Sequence, residues 1–222
     1  MKYKYAAELK QIFTVNGHFY NLKISDKVFK CRSVLDIKRK GAGIKKNMPD
    51  IVVIMMNPGS SKPLDKNYIP ETYSLSAYRK IKSKEAVPTR PDNAQYQIMR
   101  LMVFNDWNYV RVLNLSDLRN GNSGNFQTDF LNAKNLDNSD PHCITNEKRR
   151  VELLDSLRSK SNKIIAAWGS IDLLKESAEI ILKQNKKIIG IVNGCLPNFS
   201  HASPMMQVKK EEWLKGIQKR FN

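Results

Sequence analysis

Ile51-Val52-Val53-Ile54-Met55-Met56-Asn57-Pro58-Gly59-Ser60 decides how the rest of the chain is read. Its first six residues are apolar without interruption, too short a run for an ordinary helix and typical of a strand buried on both faces. Asn-Pro-Gly then stops the strand, because proline has no amide proton to donate and glycine accepts a positive φ. Residues 108–113, 163–167 and 187–192 repeat the apolar pattern. Stretches of helical period lie between and after them, near residues 93–104, 146–159, 171–183 and 209–220. The order predicts an α/β fold, a four-stranded, mostly parallel sheet with helices on both faces. Ligands of such sheets sit beyond the carboxyl ends of the strands.

The first 40 or so residues differ. Residues 11–15, Asn16-Gly17 and residues 18–24 read as strand, two-residue turn and strand, with a third strand over 28–37. This predicts an N-terminal β-hairpin appendage. The run Lys38-Arg39-Lys40-Gly41-Ala42-Gly43-Ile44-Lys45-Lys46 reads equally well as a flexible arm along a phosphate backbone or as a solvated linker. The expected organisation is residues 1–46 as hairpin and basic linker and 47–222 as the α/β domain, one compact unit together. Two polar segments interrupt the pattern. Residues 60–91 hold four prolines, Tyr68, Tyr73 and Tyr78, with Arg79, Lys80, Lys82 and Lys84, and residues 116–141 are rich in Asn, Asp, Gly and Ser. Connections that long are usually functional or disordered.

With 38 Lys and Arg against 21 Asp and Glu, the 222-residue chain carries a formal charge of +17. That implies attraction to a polyanion, with nucleic acid the natural partner. No apolar run approaches the ~18 residues that span a bilayer, and Met1-Lys2-Tyr3-Lys4-Tyr5 lacks the apolar stretch of a secretory signal. A cytoplasmic protein with no membrane partner is expected. Cys31, Cys143 and Cys195 are scattered, and His18, His142 and His201 lack ligand spacing. No metal and no cofactor are therefore expected.

Four polar segments fall at or just after strand ends: Asn57-Pro58-Gly59-Ser60, Val112-Leu113-Asn114, Ala167-Trp168-Gly169-Ser170 and His201-Ala202-Ser203-Pro204-Met205. Each alone is ordinary; Asn-Pro-Gly is good turn chemistry, and Asn114 suits a cap. Together they resemble the ordered signature of the uracil-DNA glycosylase superfamily, enzymes that flip a base out of DNA and cut its bond to the sugar. Asn-Pro-Gly is similar to the mismatch-specific branch. His-Ala-Ser-Pro-Met is similar to the His-Pro-Ser-Pro-Leu loop of the uracil-specific branch, with Ala202 in place of proline. Residues 57–205 also resemble a bacterial and phage-associated domain family of unknown function, on Asn57-Pro58, residues 112–115 with Arg119, Trp168-Gly169 and residues 197–204.

The resemblance implies a role for each segment. Asn57 orients the attacking water but, being an amide, cannot take its proton. Gly59, where the uracil-specific branch has a tyrosine, leaves room for a C5 substituent; Asn114 reads the base edge, and Tyr68 of the long segment also faces the base. His201 donates to the base carbonyl as charge builds there. Met205 is the wedge pushed into the stack. Ser60, Ser203, Gly169 and Ser170 hold phosphates, Ser170 by capping the next helix, with Lys38, Arg39 and Lys40 along the backbone. Trp168 is expected in the core. No motif lysine stands ready as a Schiff-base nucleophile. The function implied is a monofunctional DNA glycosylase, acting as a monomer on double- or single-stranded DNA. Its substrate would be a pyrimidine modified at C5, such as glucosylated hydroxymethylcytosine of phage DNA in anti-phage defence, or a mismatched or deaminated base in repair. The alternatives are a non-enzymatic basic module that binds DNA or RNA and, more weakly, a hydrolase of free nucleosides.

Overall fold

A computed structural model describes residues 3–44, 48–78, 84–170, 172–184 and 186–221. Lys45 and Lys46 of the basic run, Arg79, Lys80 and Lys82 of the long segment and Ile171 at a predicted helix start lie outside them. A short helix, α1 (Ala6–Ile12), leads into two long strands, β1 (Phe13–Ile24) and β2 (Lys27–Arg39). The opening stretch of the sequence forms β3 (Ile51–Met55). The long polar segment contributes β4 (Lys62–Pro63), β5 (Thr72–Ser74), α2 (Leu75–Tyr78) and β6 (Val87–Arg90). Then come α3 (Asn93–Phe104), β7 (Tyr109–Asn114), α4 (Ser123–Leu136), α5 (Arg150–Ser156), β8 (Lys163–Ala166), α6 (Lys175–Leu182), β9 (Lys187–Ile189) and α7 (Gln207–Gln218).

The expected four-stranded sheet with a separate hairpin is overturned. Among the described residues the sheet has nine strands in the order β4-β6-β1-β2-β7-β3-β8-β9, with β5 added against β1. It is mixed. Strands β7, β3, β8 and β9 run parallel, while β2 pairs antiparallel with both β1 and β7. The hairpin is thus a central part of the sheet, joined to β7 by the pairs Leu35↔Val112 to Lys38↔Tyr109. The physical reason is twofold. Without β2, β7 would present a row of unpaired amides and carbonyls, and Leu35 and Ile37, both fully buried, complete the same core as Val110 and Val112.

The predicted turn at Asn16-Gly17 is also corrected. Strand β1 passes straight through it, with Asn16↔Asp36 and Gly17↔Leu35 in register. The chain reverses at Ser25-Asp26, between the pair Ile24↔Lys27, with Ser25 at φ 54°. Gly17 is small for a packing reason: a Cβ there would stand 3.1 Å from Thr89 Oγ1 and 3.2 Å from Phe19 Cε2.

Two cores flank the sheet. On one face α1, α3 and α7 pack Leu9, Ile98, Met102, Trp213 and Ile217 against Val53 and Val110. On the other, α4, α5 and α6 pack Phe130, Leu153 and Ile181 against Val52, Ile54 and Leu113. All five residues of β3 are buried because the strand is covered on both faces. No described helix is long and apolar enough to cross a membrane.

Candidate active site

A cleft of about 490 Å³ opens at the carboxyl ends of the parallel strands. Asn57, Gly59 and Ser60 line it from the end of β3, Asp92 and Gln95 from the start of α3, and His201, Ser203 and Met205 from the loop before α7. The first and last of the four sequence segments therefore meet, although 144 positions separate Asn57 from His201 (201 minus 57).

Asn57 is oriented by the backbone beyond β7. Its Nδ2 donates to Asn120 O at 2.7 Å and to Leu118 O at 3.4 Å, which assigns the amide and leaves Oδ1 as an acceptor with no partner among the described residues. His201 is exposed, and its Nδ1 accepts from Ser203 N at 3.2 Å. The neutral ring then carries its proton on Nε2, as a donor. Behind it, Trp168 is buried, donating from Nε1 to Pro197 O at 2.8 Å and meeting the Phe199 ring edge-on at 5.2 Å. Gly169 sits at φ +83°, which favours glycine, and a Cβ there would be in ordinary contact with His201 Cβ at 3.8 Å. Ala202 is fully buried and anchors the loop, while Met205 stands 98% exposed on the rim.

Several expected site residues are placed elsewhere. Asn114 is fully buried, lines no part of the cleft, and neither side-chain polar atom has a hydrogen-bond partner among the described residues, so it caps nothing. It pairs with Met55 in the β3–β7 ladder, and Met55 does line the cleft. Gly169 and Ser170 are outside the cleft; Ser170 Oγ accepts from Asn193 Nδ2 at 3.1 Å, and α6 has Leu174 at its N-cap with no side-chain cap. Gly59, at φ +65°, has no empty space on its side-chain side: Asp92 Oδ2 lies 2.7 Å from where a Cβ would be.

Lys38 and Arg39 are not a flexible arm. They end β2, at the amino end of β7 and so at the opposite edge of the sheet from Asn57. Lys38 Nζ lies over the Tyr109 ring, and Arg39 pairs with Asp106 at 3.1 Å. Lys40 and Tyr68 line a separate groove of about 1000 Å³. Seven basic residues border it (Lys10, Lys30, Lys40, Lys62, Lys66, Arg90 and Arg119), against the single acid Asp65. A smaller hollow of about 450 Å³ connects the two, sharing Gly59, Ser60, Asn120 and Gly121 with the cleft and Lys30, Lys62 and Arg119 with the groove.

Two features escaped the sequence reading. The basic groove draws its seven cations from six separate stretches of chain and had no linear signal. Asp92 had one: Asp92 with Gln95 three residues later, opening a helical period, is a capping-box pattern. Asp92 Oδ1 accepts from Ala94 N at 3.0 Å and Gln95 N at 3.2 Å, and Gln95 Oε1 accepts from Asp92 N at 3.0 Å.

A buried ionic network lies away from the cleft. Asp117 accepts from Tyr20 Oη at 2.7 Å and pairs with Arg149 at 2.8 Å; Glu152 pairs with Arg149 and with Lys84. Burial raises the Glu152 pKa, yet Arg149 and Lys84 outweigh it and bring it down to about 2. His18, donating to or accepting from Ser33 Oγ at 2.8 Å, is lowered to about 4 by burial and then by Lys84. The network ties β1 to the segments after β7 and before α5, a structural role.

No protein-family model matches the chain, and no curated protein matches it. Among solved structures, an acylaminoacyl peptidase from Pyrococcus horikoshii aligns at 16% identity and TM-score 0.33 over 82% of this chain and 23% of its own. An acylaminoacyl peptidase in complex with Z-Gly-Gly-Phe-chloromethyl ketone aligns at 13% identity and TM-score 0.33, over 92% of this chain and 30% of its own. The chain thus spans less than a third of either relative, and likeness at this level carries no argument about fold or chemistry.

Proposed function

We propose that the chain is a monofunctional DNA glycosylase, flipping a modified or mismatched pyrimidine into the cleft and hydrolysing its bond to the sugar. The observation that carries the reading is the meeting of Asn57, His201 and Met205 in one cleft. The Asn57 Oδ1 acceptor orients a water. The His201 Nε2–H faces the base carbonyl on which negative charge collects as the bond breaks. Met205 enters the stack from the rim, taking the place of the departing base. Ser60 and Ser203 hold flanking phosphates, and the strand continues through the connecting hollow into the basic groove, where Tyr68 offers a ring. A C5 substituent as large as a glucosylated hydroxymethyl group draws on the volume of the cleft, which falls within the ~300–1,000 Å³ of ordinary ligand sites. It does not draw on space beside Gly59.

The test is base release from labelled oligonucleotides carrying uracil, a thymine mismatch, hydroxymethylcytosine or glucosylated hydroxymethylcytosine, with alkali revealing abasic sites. Alkali-dependent cleavage of any one supports the reading and names the substrate. Asn57→Ala should then lose roughly 100-fold in rate while still binding DNA. Lys62→Glu and Arg90→Glu should each lower the salt slope of binding by about 1, and Lys38→Glu, at the opposite edge, should not. No base release, together with salt-sensitive binding, would leave the non-enzymatic module.

A further inference from the structure

We infer that Asp92 is the catalytic carboxylate of the cleft, taking the proton of the attacking water; this rests on the glycosylase reading above. Cutting an N-glycosidic bond builds positive charge on the sugar and requires the incoming water to lose a proton. Asn57 does neither job. Its amide is neutral, and its Nδ2 is spent on two carbonyls. His201, with Nδ1 accepting from Ser203 N, faces outward as a donor. Among the described residues lining the cleft, Asp92 is the only carboxylate.

Its geometry suits the role. The amides of Ala94 and Gln95 hold Oδ1, which fixes the carboxylate plane and leaves Oδ2 free of any hydrogen bond among the described residues. Oδ2 lies against Gly59, two residues after Asn57, at the spot a side chain would otherwise fill. Arg32 is fully buried with no hydrogen-bond partner for its guanidinium among the described residues, and Asp92 is the foremost opposite charge acting on it.

The step balances. The bond from the anomeric carbon to the base nitrogen breaks, and its electron pair leaves with the base, whose carbonyl oxygen accepts from His201 Nε2–H. The water oxygen bonds to the anomeric carbon, and the proton it sheds moves to Asp92 Oδ2. That proton then passes to the released base, which restores the carboxylate. One water is consumed, giving an abasic sugar and a neutral free base.

Asp92 also caps α3, so the substitution must separate charge from capping. Asparagine caps a helix as well as aspartate does, and alanine does not. We therefore compare wild type, Asp92→Asn and Asp92→Ala by single-turnover base release on the four oligonucleotides above, with melting temperature and DNA affinity measured alongside. The expected result is a loss of 100-fold or more for Asp92→Asn at unchanged melting temperature and affinity, and an equal rate loss with a lower melting temperature for Asp92→Ala. An active wild type with an equally active Asp92→Asn overturns the inference alone. So does a loss confined to bases carrying a C5 substituent, which would make Asp92 a reader of that group. A wild type that releases no base from any oligonucleotide overturns the glycosylase reading and this inference with it.

Discussion

Asn114 is a polar group buried at a cost to stability. Its buried carboxamide has no partner among the described residues for Oδ1 or Nδ2, a state that costs about 1–3 kcal/mol of desolvation. Asn114→Leu, similar in shape and apolar, should stabilise the fold by about 1 kcal/mol in urea unfolding and leave base release unchanged, because Asn114 lines no part of the cleft. A destabilised variant would mean that the carboxamide serves the fold. The buried histidines set the response to acid. His18 is neutral in the fold, its pKa lowered to about 4 from 6.5, so between those values the unfolded chain binds a proton that the folded chain does not. Its contribution is complete above pH 6.5 and is lost as the pH falls towards 4. His142, lowered to about 3 by burial and Arg149, acts in the same direction. Each adds about 1.4 kcal/mol per pH unit to the slope. Urea unfolding between pH 7 and pH 5 should show falling stability, with a shallower fall in His18→Gln.

Among elements, the loop from β9 to α7 is the one on which the site depends. It is held by Phe199, whose backbone bridges to Gly169 and Val192 and whose ring is wedged between Trp168 and Gly190. A Cβ on Gly190 would stand 2.3 Å from Phe199 Cδ1 and 3.0 Å from the Ala166 carbonyl. Gly190→Ala should therefore cost about 1–3 kcal/mol, read as a drop of roughly 2–4 °C in melting temperature per kcal/mol. Because Phe199 precedes His201 by two residues, base release at a permissive temperature should fall as well. An unchanged rate would show that His201 is positioned independently of Phe199. The polar segments show why composition misleads about elements. Helix α4 buries only Phe126, Phe130 and Ala133, so its fourteen residues read as a loop. Residues 60–91 hold three short strands that close the far edge of the sheet.

For the molecule as a whole, the consequence of the mixed sheet is that β1 and β2 are part of the same unit as the strands that follow. Strand β2 supplies the partner of β7, and β1 supplies Tyr20 to the Asp117 and Arg149 network. A fragment of residues 47–222 should expose the β7 edge, leave Asp117 without the Tyr20 hydroxyl, and fail to give the dispersed NMR spectrum of a folded domain. A well-dispersed spectrum would restore the hairpin to the status of an appendage. The charge of +17 acts at this scale too. Spread evenly it would give only general attraction to polyanions, but seven cations border one groove that connects to the cleft.

What the sequence determined by itself is local. Buried strands write themselves as continuous apolar runs, and helices as a 3.6-residue period with caps, so the four runs became β3, β7, β8 and β9 and residues 93–104 became α3. The four polar segments could be placed at strand ends for the same reason. Tertiary structure decided whatever depends on distant partners. Asn16-Gly17 has the chemistry of a turn, yet it lies within a strand because pairing with β2 and the approach of Thr89 and Phe19 outweigh a two-residue preference. Nothing in a linear pattern shows that β2 completes the edge of β7, that Asn114 pairs with Met55, or that the cap of α3 reaches Gly59. Hydrogen-bond satisfaction and close packing act between residues far apart in the chain, and they are resolved only when the whole sheet is assembled.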